Sequence, residues 1–97
     1  MINLVEVFKK IEKENEDPDF SLVKKRFSKK EDLHALIRLD KLFPDDGFII
    51  DSTDFDKVFI SINMDKFKEV ATEELIFELW NCGVNYDVEH DLLFLYC

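Results

Sequence analysis

The stretch TEELIFELWNCGVNYDVEHDLLFLY, residues 72–96, contains both kinds of secondary structure that decide the fold. Acidic residues in its first turn, an apolar run and Gly83 at its end form the pattern of a capped helix. After Gly83 the period changes, because Val84, Tyr86 and Val88 alternate with polar residues. This alternation predicts a β-hairpin over residues 84–96. Its second strand, LLFLY, is so apolar that we expect it to be central or well covered.

A second hairpin is predicted upstream, over about residues 47–62. The segments GFIID and KVFISIN are rich in β-branched and aromatic residues, and STDF separates them. Such segments favour antiparallel strands, here joined by a loop of about four to six residues.

Three helices are expected at about residues 2–14, 29–43 and 64–82. The first has apolar residues at steps of three and four, with lysines and glutamates on the other side. Ser28 and Glu31 form a capping-box pattern before the second helix. Residues 64–82 are interpreted as one helix, with a break between Ala71 and Thr72 left open as an alternative.

Residues 20–27, FSLVKKRF, combine helical and strand-like spacing, and we favour a short helix there. Segregated helices and hairpins predict a single α+β domain over residues 1–97, built on one antiparallel sheet. Neither a signal peptide nor a membrane-spanning run of apolar residues is recognisable. Cys82 and Cys97 have no metal-ligand spacing, so we expect reduced thiols in a cytoplasmic protein, or in the host cytoplasm if the gene is phage-encoded.

The charge of the chain is concentrated in its second half. Residues 1–43 contain nine acidic and ten basic residues, whereas residues 44–97 contain thirteen acidic and three basic ones. Such a surface either serves solubility or meets the cations of a partner and speeds encounter by electrostatic steering. The predicted partner-binding residues are Asp45, Asp46, Asp51, Asp54, Asp56, Glu73, Glu74, Glu78, Asp87, Glu89, Asp91 and Trp80.

Trp80 belongs to a helical segment that is apolar nearly all round. One interpretation buries this aromatic side chain between the sheet and the other helices. The alternative exposes it as an anchor for self-association or for a partner.

The run KKRFSKK, residues 24–30, places five cations around Phe27. Such a run can contact phosphates, but a net charge of −9 repels nucleic acid at long range, so direct nucleic-acid binding is not expected. The plainer interpretation is that these cations solvate a helix junction and pair with the protein's own acids.

Motifs for metal or nucleotide chemistry are absent from the sequence, and no cofactor is expected. DSTDFD, residues 51–56, fails as a calcium loop because Asp56 and Ile62 stand where an EF-hand needs glycine and glutamate. The histidines His34 and His90 have no cysteine at zinc-ligand spacing. The glycines form no phosphate loop.

His90 lies in the segment DVEHD, where adjacent carboxylates would raise its pKa and orient it. That segment is also typical of a hairpin turn, and the sequence places no nucleophile beside it. We therefore interpret it as a turn and keep an enzyme built on Asp54, Asp56 and His90 as a third hypothesis.

The leading hypothesis is a non-enzymatic binding protein whose acidic second half occupies the basic site of a nucleic-acid-processing protein or a toxin. In size and charge the chain is similar to phage-encoded anti-defence inhibitors, nucleic-acid mimics and immunity proteins, an analogy of composition that rests on no motif. The second hypothesis is a homodimeric interaction module that uses the aromatic helix or an open strand edge. No membrane partner is expected.

Overall fold

The computed structural model describes residues 2–44, 50–54 and 56–96 of the chain. In chain order its elements are α1 (Leu4–Glu14), a 3-10 turn (Phe20–Leu22), α2 (Glu31–Leu42), β1 (Ile50–Asp54), β2 (Lys57–Ile60), α3 (Met64–Val70), α4 (Glu73–Asn81), β3 (Val84–Asp87) and β4 (Leu92–Tyr96). Helices and hairpins are segregated along the chain, and all the strand pairs are antiparallel. The expected α+β class with an antiparallel sheet is therefore confirmed.

The sheet has the strand order β1-β2-β4-β3 in the described part of the chain. Each hairpin contributes two neighbouring strands, and β2 and β4 join the hairpins, with Lys57 opposite Tyr96 and Ile60 opposite Leu93. β4 lies between β2 and β3, so the prediction of a central strand is confirmed. Its apolar composition follows from this position, because a central strand of a covered sheet buries residues from both of its faces.

The first hairpin is tighter than the sequence analysis predicted. β1 continues to Asp54 and β2 begins at Lys57, three positions later, so the expected loop of about four to six residues is wrong. The segment STD, which the sequence assigned to the loop, pairs with Lys57–Phe59 as part of the edge strand β1, because polar residues can join a ladder through their backbone groups. Residues 47–49 of the predicted hairpin lie outside the described residues.

The core forms where the helices cover one face of the sheet. Ile60, Leu93 and Val84 are completely buried on that face, and Phe67 and Leu79 meet them from α3 and α4. Phe59 and Phe94 alternate with the core residues and lie outside this cluster, with ring centroids 6.0 Å apart. The sheet is thus apolar on its helical face and carries a pair of aromatic rings on the other.

The predicted single helix over residues 64–82 is wrong, because the structure has two helices there. Ala71 leaves the helical conformation, with φ of −65° and ψ of 138°, and Thr72 begins α4 by accepting the Leu75 N–H at its Oγ1, 3.1 Å away. This is the alternative that the sequence left open. Gly83 follows α4 with φ of +93° and donates its N–H to the Trp80 carbonyl, as expected of a C-terminal cap.

The predicted start of the second helix is also wrong. α2 begins at Glu31, its N-cap Lys30 makes no side-chain capping bond, and Ser28 Oγ instead accepts the Lys30 N–H at 3.1 Å. The capping box does not form, and the Phe27 N–H, next to Ser28, is bound to the buried His34 of α2. Of the short helix expected over residues 20–27, only the 3-10 turn Phe20–Leu22 forms.

Candidate functional site

The predicted acidic residues do not form one surface. Those with described side chains fall into three groups, at the turn of the first hairpin, at the turn of the second hairpin and along α4. Asp45 and Asp46 lie outside the described residues, and Asp51 and Asp54 are described only as backbone of β1.

The register of the sheet separates the two hairpin turns. Lys57, next to the exposed Asp56, pairs with Tyr96 at the end of β4, whereas Asp87 pairs with Leu92 at its start. Four residue steps along a strand span about 13 Å, so the turns lie at opposite ends of the sheet. Asp56 and the backbone of Asp54 therefore lie at the end of the sheet opposite to His90.

The turn of the second hairpin is held by Asp87 and His90. The His90 N–H donates to Asp87 Oδ1 at 3.1 Å, and the ring Nδ1 lies 2.9 Å from Asp87 Oδ2. The hydrogen bond and charge of Asp87 raise the pKa of His90, and the same hydrogen bond lowers the pKa of Asp87. The expected partners of His90 were the adjacent acids, but the main cause of the raised pKa is Asp87, three residues upstream, because the turn folds Asp87 back onto the ring.

Asp91 in the same turn is also engaged within the protein. Its carboxylate accepts a hydrogen bond from the Tyr86 hydroxyl and forms an ion pair with Lys68, whose Nζ lies 3.0 Å from Asp91 Oδ1. These two contacts lower the pKa of Asp91, while burial and the Asp91 bond raise the pKa of Tyr86 to about 12. Asp87 and Asp91 thus stabilise the hairpin, and Val88, Glu89 and His90 are the exposed residues at its tip.

The third group of acids lies along α4, where Glu73 and Glu78 are already paired. Lys10 Nζ of α1 lies 2.9 Å from Glu73 Oε1, and this hydrogen bond raises the pKa of Lys10. Arg38 Nε donates to Glu78 Oε2 at 3.1 Å. Glu74, between them on the helix, is exposed and has no ion pair within the described residues.

Glu78 also binds the buried His34. The imidazole Nε2 lies 3.0 Å from Glu78 Oε2, and its Nδ1 accepts the Phe27 N–H at 3.0 Å. Phe20 and Phe27 pack against the ring, with centroids 5.7 Å and 5.4 Å away. This role could not be predicted from the sequence, since nothing in the local pattern distinguishes a buried histidine of α2 from an exposed one.

A groove of about 580 Å³ runs between α1 and α4, and we name it the α4 groove. It is lined by Ile11, Glu14, Asn15, Glu73, Glu74 and Phe77. On the other side of α4 lies a depression of about 420 Å³, here the side depression, lined by Leu22, Val23, Lys24, Glu74, Phe77, Glu78 and Asn81. Glu74 and Phe77 line both, so the two concavities flank one edge of α4.

Sequence reasoning found Glu73, Glu74 and Glu78 but missed two other residues of this region. Glu14, in the last turn of α1, reaches the α4 groove because α1 packs alongside α4, and Leu22 lines the side depression with half of its surface exposed. The exposed anchor predicted at Trp80 is wrong. Trp80 is only 4% exposed and belongs to the core cluster, so it can present no surface to a partner, and Phe77 is the aromatic residue that α4 leaves half-buried.

The basic run of residues 24–30, here the basic loop, does not pair with the protein's own acids in the described part of the chain. None of its five cations forms an ion pair there, and Arg26 donates instead to the carbonyls of Val23 and Phe20, at 3.0 and 3.1 Å. The Arg26 guanidinium also lies 4.6 Å from the centroid of the Phe20 ring. The lysines of the basic loop are exposed to solvent.

Within the described residues no three His, Cys, Asp or Glu side chains are grouped to hold a metal ion, and no helix is both long and apolar enough to cross a membrane. Comparison of the chain with protein-family models, with curated proteins and with solved structures found no match. The function of the acidic groups and of the two concavities therefore has to be inferred from their charge, exposure and shape.

Proposed function

We propose that this protein is a non-enzymatic binding protein that inhibits or neutralises a basic partner protein, and that the α4 groove receives the partner's cations. One observation carries the proposal. Glu14 and Glu74 stand at a concave surface of about 580 Å³ beside the ring of Phe77. Glu74 has no ion pair among the described residues, and Glu14 has no direct one there, although Lys10 attracts it electrostatically. A lysine or arginine fits such a surface because its aliphatic stem packs on an aromatic ring while its charged end reaches a carboxylate.

The other acidic residues of the second half support the proposal because they add to the negative electrostatic potential around the protein. Asp56 and Glu89 are exposed at opposite ends of the sheet, too far apart to contact one small partner site together. Their charge adds to the negative potential that steers a cationic partner toward the protein. Asp87 and Asp91 contribute charge in the same way while their side chains hold the second hairpin.

The class of partner follows from this chemistry. Nucleic-acid-processing enzymes and many toxins carry cationic substrate grooves, and a carboxylate-rich protein bound there blocks access of phosphates. The inhibitor would act by occupying the site, so it needs no catalytic group of its own. Trp80 is buried, so a homodimer anchored on this side chain is not supported.

The test begins with affinity capture from the native host using tagged protein at about 0.1 M and 0.5 M salt, which shortens the Debye length from about 10 Å to about 4 Å. The partner that is lost at high salt is then purified, and its affinity is measured by calorimetry. We expect Glu14→Gln with Glu74→Gln to weaken binding at least about tenfold, as loss of close interfacial charge pairs does. Inhibition of the partner's own activity should fall in parallel.

A charge-matched control distinguishes direct contacts in the α4 groove from the long-range effect of the protein's negative charge. Asp40→Asn with Glu69→Gln removes the same charge from exposed positions that line neither concavity. We expect the control to slow association slightly and to leave the dissociation rate unchanged. Equal losses for the two variants would refute the α4 groove as the site, and binding that resists 0.5 M salt would refute the electrostatic proposal as a whole.

A further inference from the structure

The basic loop lies beside Glu74 and Glu78 of α4, here the acidic edge of α4, on one surface. Lys24 lines the side depression together with Glu74 and Glu78, although these residues are far apart in the sequence. The lysines of the loop have no ion pair in the described part of the chain, and Glu74 has none either. Because Glu78 is paired with Arg38, the opposite charges that adjoin here without an ion pair in the described part of the chain are those of Lys24 and Glu74.

Apolar side chains occupy the boundary between these charges. Leu22 is 52% exposed and faces the same depression as the half-buried Phe77. An apolar centre surrounded by charged residues is the usual anatomy of a protein–protein interface. This boundary accordingly has the composition of an interface centre, with cations on one side and carboxylates on the other.

Hydrogen bonds within the protein hold Arg26 and Phe27 of the basic loop. The Phe27 N–H bonds to the buried His34, Arg26 is bound to two backbone carbonyls, and the Asp19 N–H donates to Asn81 Oδ1 of α4 at 3.0 Å. A surface that is already ordered loses less conformational entropy on association. The loop can thus present its lysines to a partner without first refolding.

From this juxtaposition we propose that two copies of the protein associate about a two-fold axis at the side depression. Lys24 and Lys25 of each copy face Glu14 and Glu74 of the other, and Leu22 and Phe77 lie near the axis. A two-fold interface has to be self-complementary, and adjoining patches of opposite charge meet this condition because every contact is made twice. The inference rests on the same α4 groove as the proposed function, since the basic loop of one copy takes the place of the partner's cations.

A nucleic acid fits this surface less well than a second copy. Phosphates bound at Lys24 would also approach Glu74 and Glu78, whereas a protein surface with both charges satisfies both patches. The net charge of −9 on each copy does not prevent association, because at physiological salt repulsion between distant charges is screened beyond about 8 Å. We expect a weak dimer that dissociates as salt rises and that competes with the partner for the groove.

The test uses charge reversal and analytical ultracentrifugation over about 1 to 500 μM protein, the range in which weak association is resolved. The loop variant is Lys24→Glu with Lys25→Glu, and the groove variant is Glu14→Lys with Glu74→Lys. Each alone should be monomeric over this range, because like charges then face each other. An equimolar mixture of the two should form a heterodimer, and the chain with all four substitutions should recover the homodimer.

Formation of the heterodimer in the mixture shows that the loop variant and the groove variant are both folded. Circular dichroism checks the fold of each variant, including the fourfold one. The control reverses Lys66 and Glu69 on α3, which line neither concavity, and should leave the wild-type association unchanged. A wild-type chain that is monomeric at all concentrations but still binds its basic partner overturns this inference and leaves the proposed function standing.

Two further results would also overturn the two-fold dimer. The first is a dimer that persists in both reversed variants, which would place the interface at another surface such as a strand edge. The second is a wild-type chain that stays monomeric and binds a fluorescent single-stranded oligonucleotide, while the loop variant does not bind it. That result would show that the basic loop binds nucleic acid.

Discussion

The backbone N–H of Phe27 donates a hydrogen bond to Nδ1 of His34, 3.0 Å away, and the imidazole is completely buried. A nitrogen that accepts this bond carries no proton, so the ring proton lies on Nε2 and is donated to Glu78. One histidine therefore connects the basic loop, α2 and the acidic edge of α4. The relative placement of the two charged surfaces depends on this side chain.

Replacement of His34 by phenylalanine should destabilise the protein by about 2–4 kcal/mol, because the Phe27 N–H loses its acceptor, Glu78 loses a donor and the larger ring must fit a fully buried position. Urea unfolding followed by circular dichroism measures the change. His90→Phe is the matched control, since the same substitution then falls on an exposed ring. A loss at His34 no greater than that at His90 would contradict the structural role.

Thr72→Ala should lower the free energy of unfolding by about 1 kcal/mol, the usual value of an N-cap side chain. The Thr72 hydroxyl accepts the Leu75 N–H at the start of α4, and alanine leaves this donor unpaired. Thr72→Ser keeps the oxygen and should retain most of the stability. If the serine variant were as unstable as the alanine variant, packing of the threonine methyl group, and not the cap, would be responsible.

The pKa of His90 should lie above its ordinary value of 6.5 because Asp87 binds the ring. Titration of the His90 ring proton by NMR measures it, and Asp87→Asn should remove the upward shift. Since the folded-state pKa is the higher one, the stabilisation is complete below about pH 6.5 and disappears as the pH rises through the folded value. Accordingly, the difference in Tm between the wild type and His90→Gln should shrink on going from pH 6 to pH 8.

Cys82 should react with thiol reagents only when the protein unfolds. Burial is the main cause that raises the pKa of this thiol from 9.0 to about 12, and Glu78 adds to it. At pH 8 the thiolate fraction is then about a thousandfold lower than for a free cysteine, and the sulfur is also shielded from the reagent. In a Cys97→Ser background, labelling should follow the urea unfolding curve, and rapid labelling of the native protein would refute burial.

The parts of the fold that were predicted correctly rest on local patterns. α1, the second hairpin and the Gly83 cap each follow from residue spacing within about a dozen positions, and that spacing fixes which side of an element is apolar. The break at Thr72 was visible only as an alternative, because TEEL also suits the interior of a long helix. The absence of the Ser28 cap was not predictable from the local pattern alone, because the neighbouring Phe27 N–H is bound to His34, a tertiary contact that the pattern does not reveal.

The candidate site was less predictable than the fold. Glu73, Glu74 and Glu78 share one helix, so their proximity follows from the helical period. The sequence could not show that the Asp56 and Asp87 turns lie at opposite ends of the sheet, because the register between β2 and β4 joins residues more than thirty positions apart. Nor could it show that Lys10 and Arg38 already neutralise two of the glutamates of α4.

The sequence by itself determined the α+β class, the central strand and the excess of negative charge in the second half, since these depend on composition and on short-range periodicity. Only the tertiary structure decided that Trp80 is core, that His34 is a buried link and that the basic loop adjoins the carboxylates of α4. The physical reason is the packing of elements distant in the chain. Periodicity tells which side of a helix is apolar, but the neighbours packed against that helix decide what its remaining surface can bind.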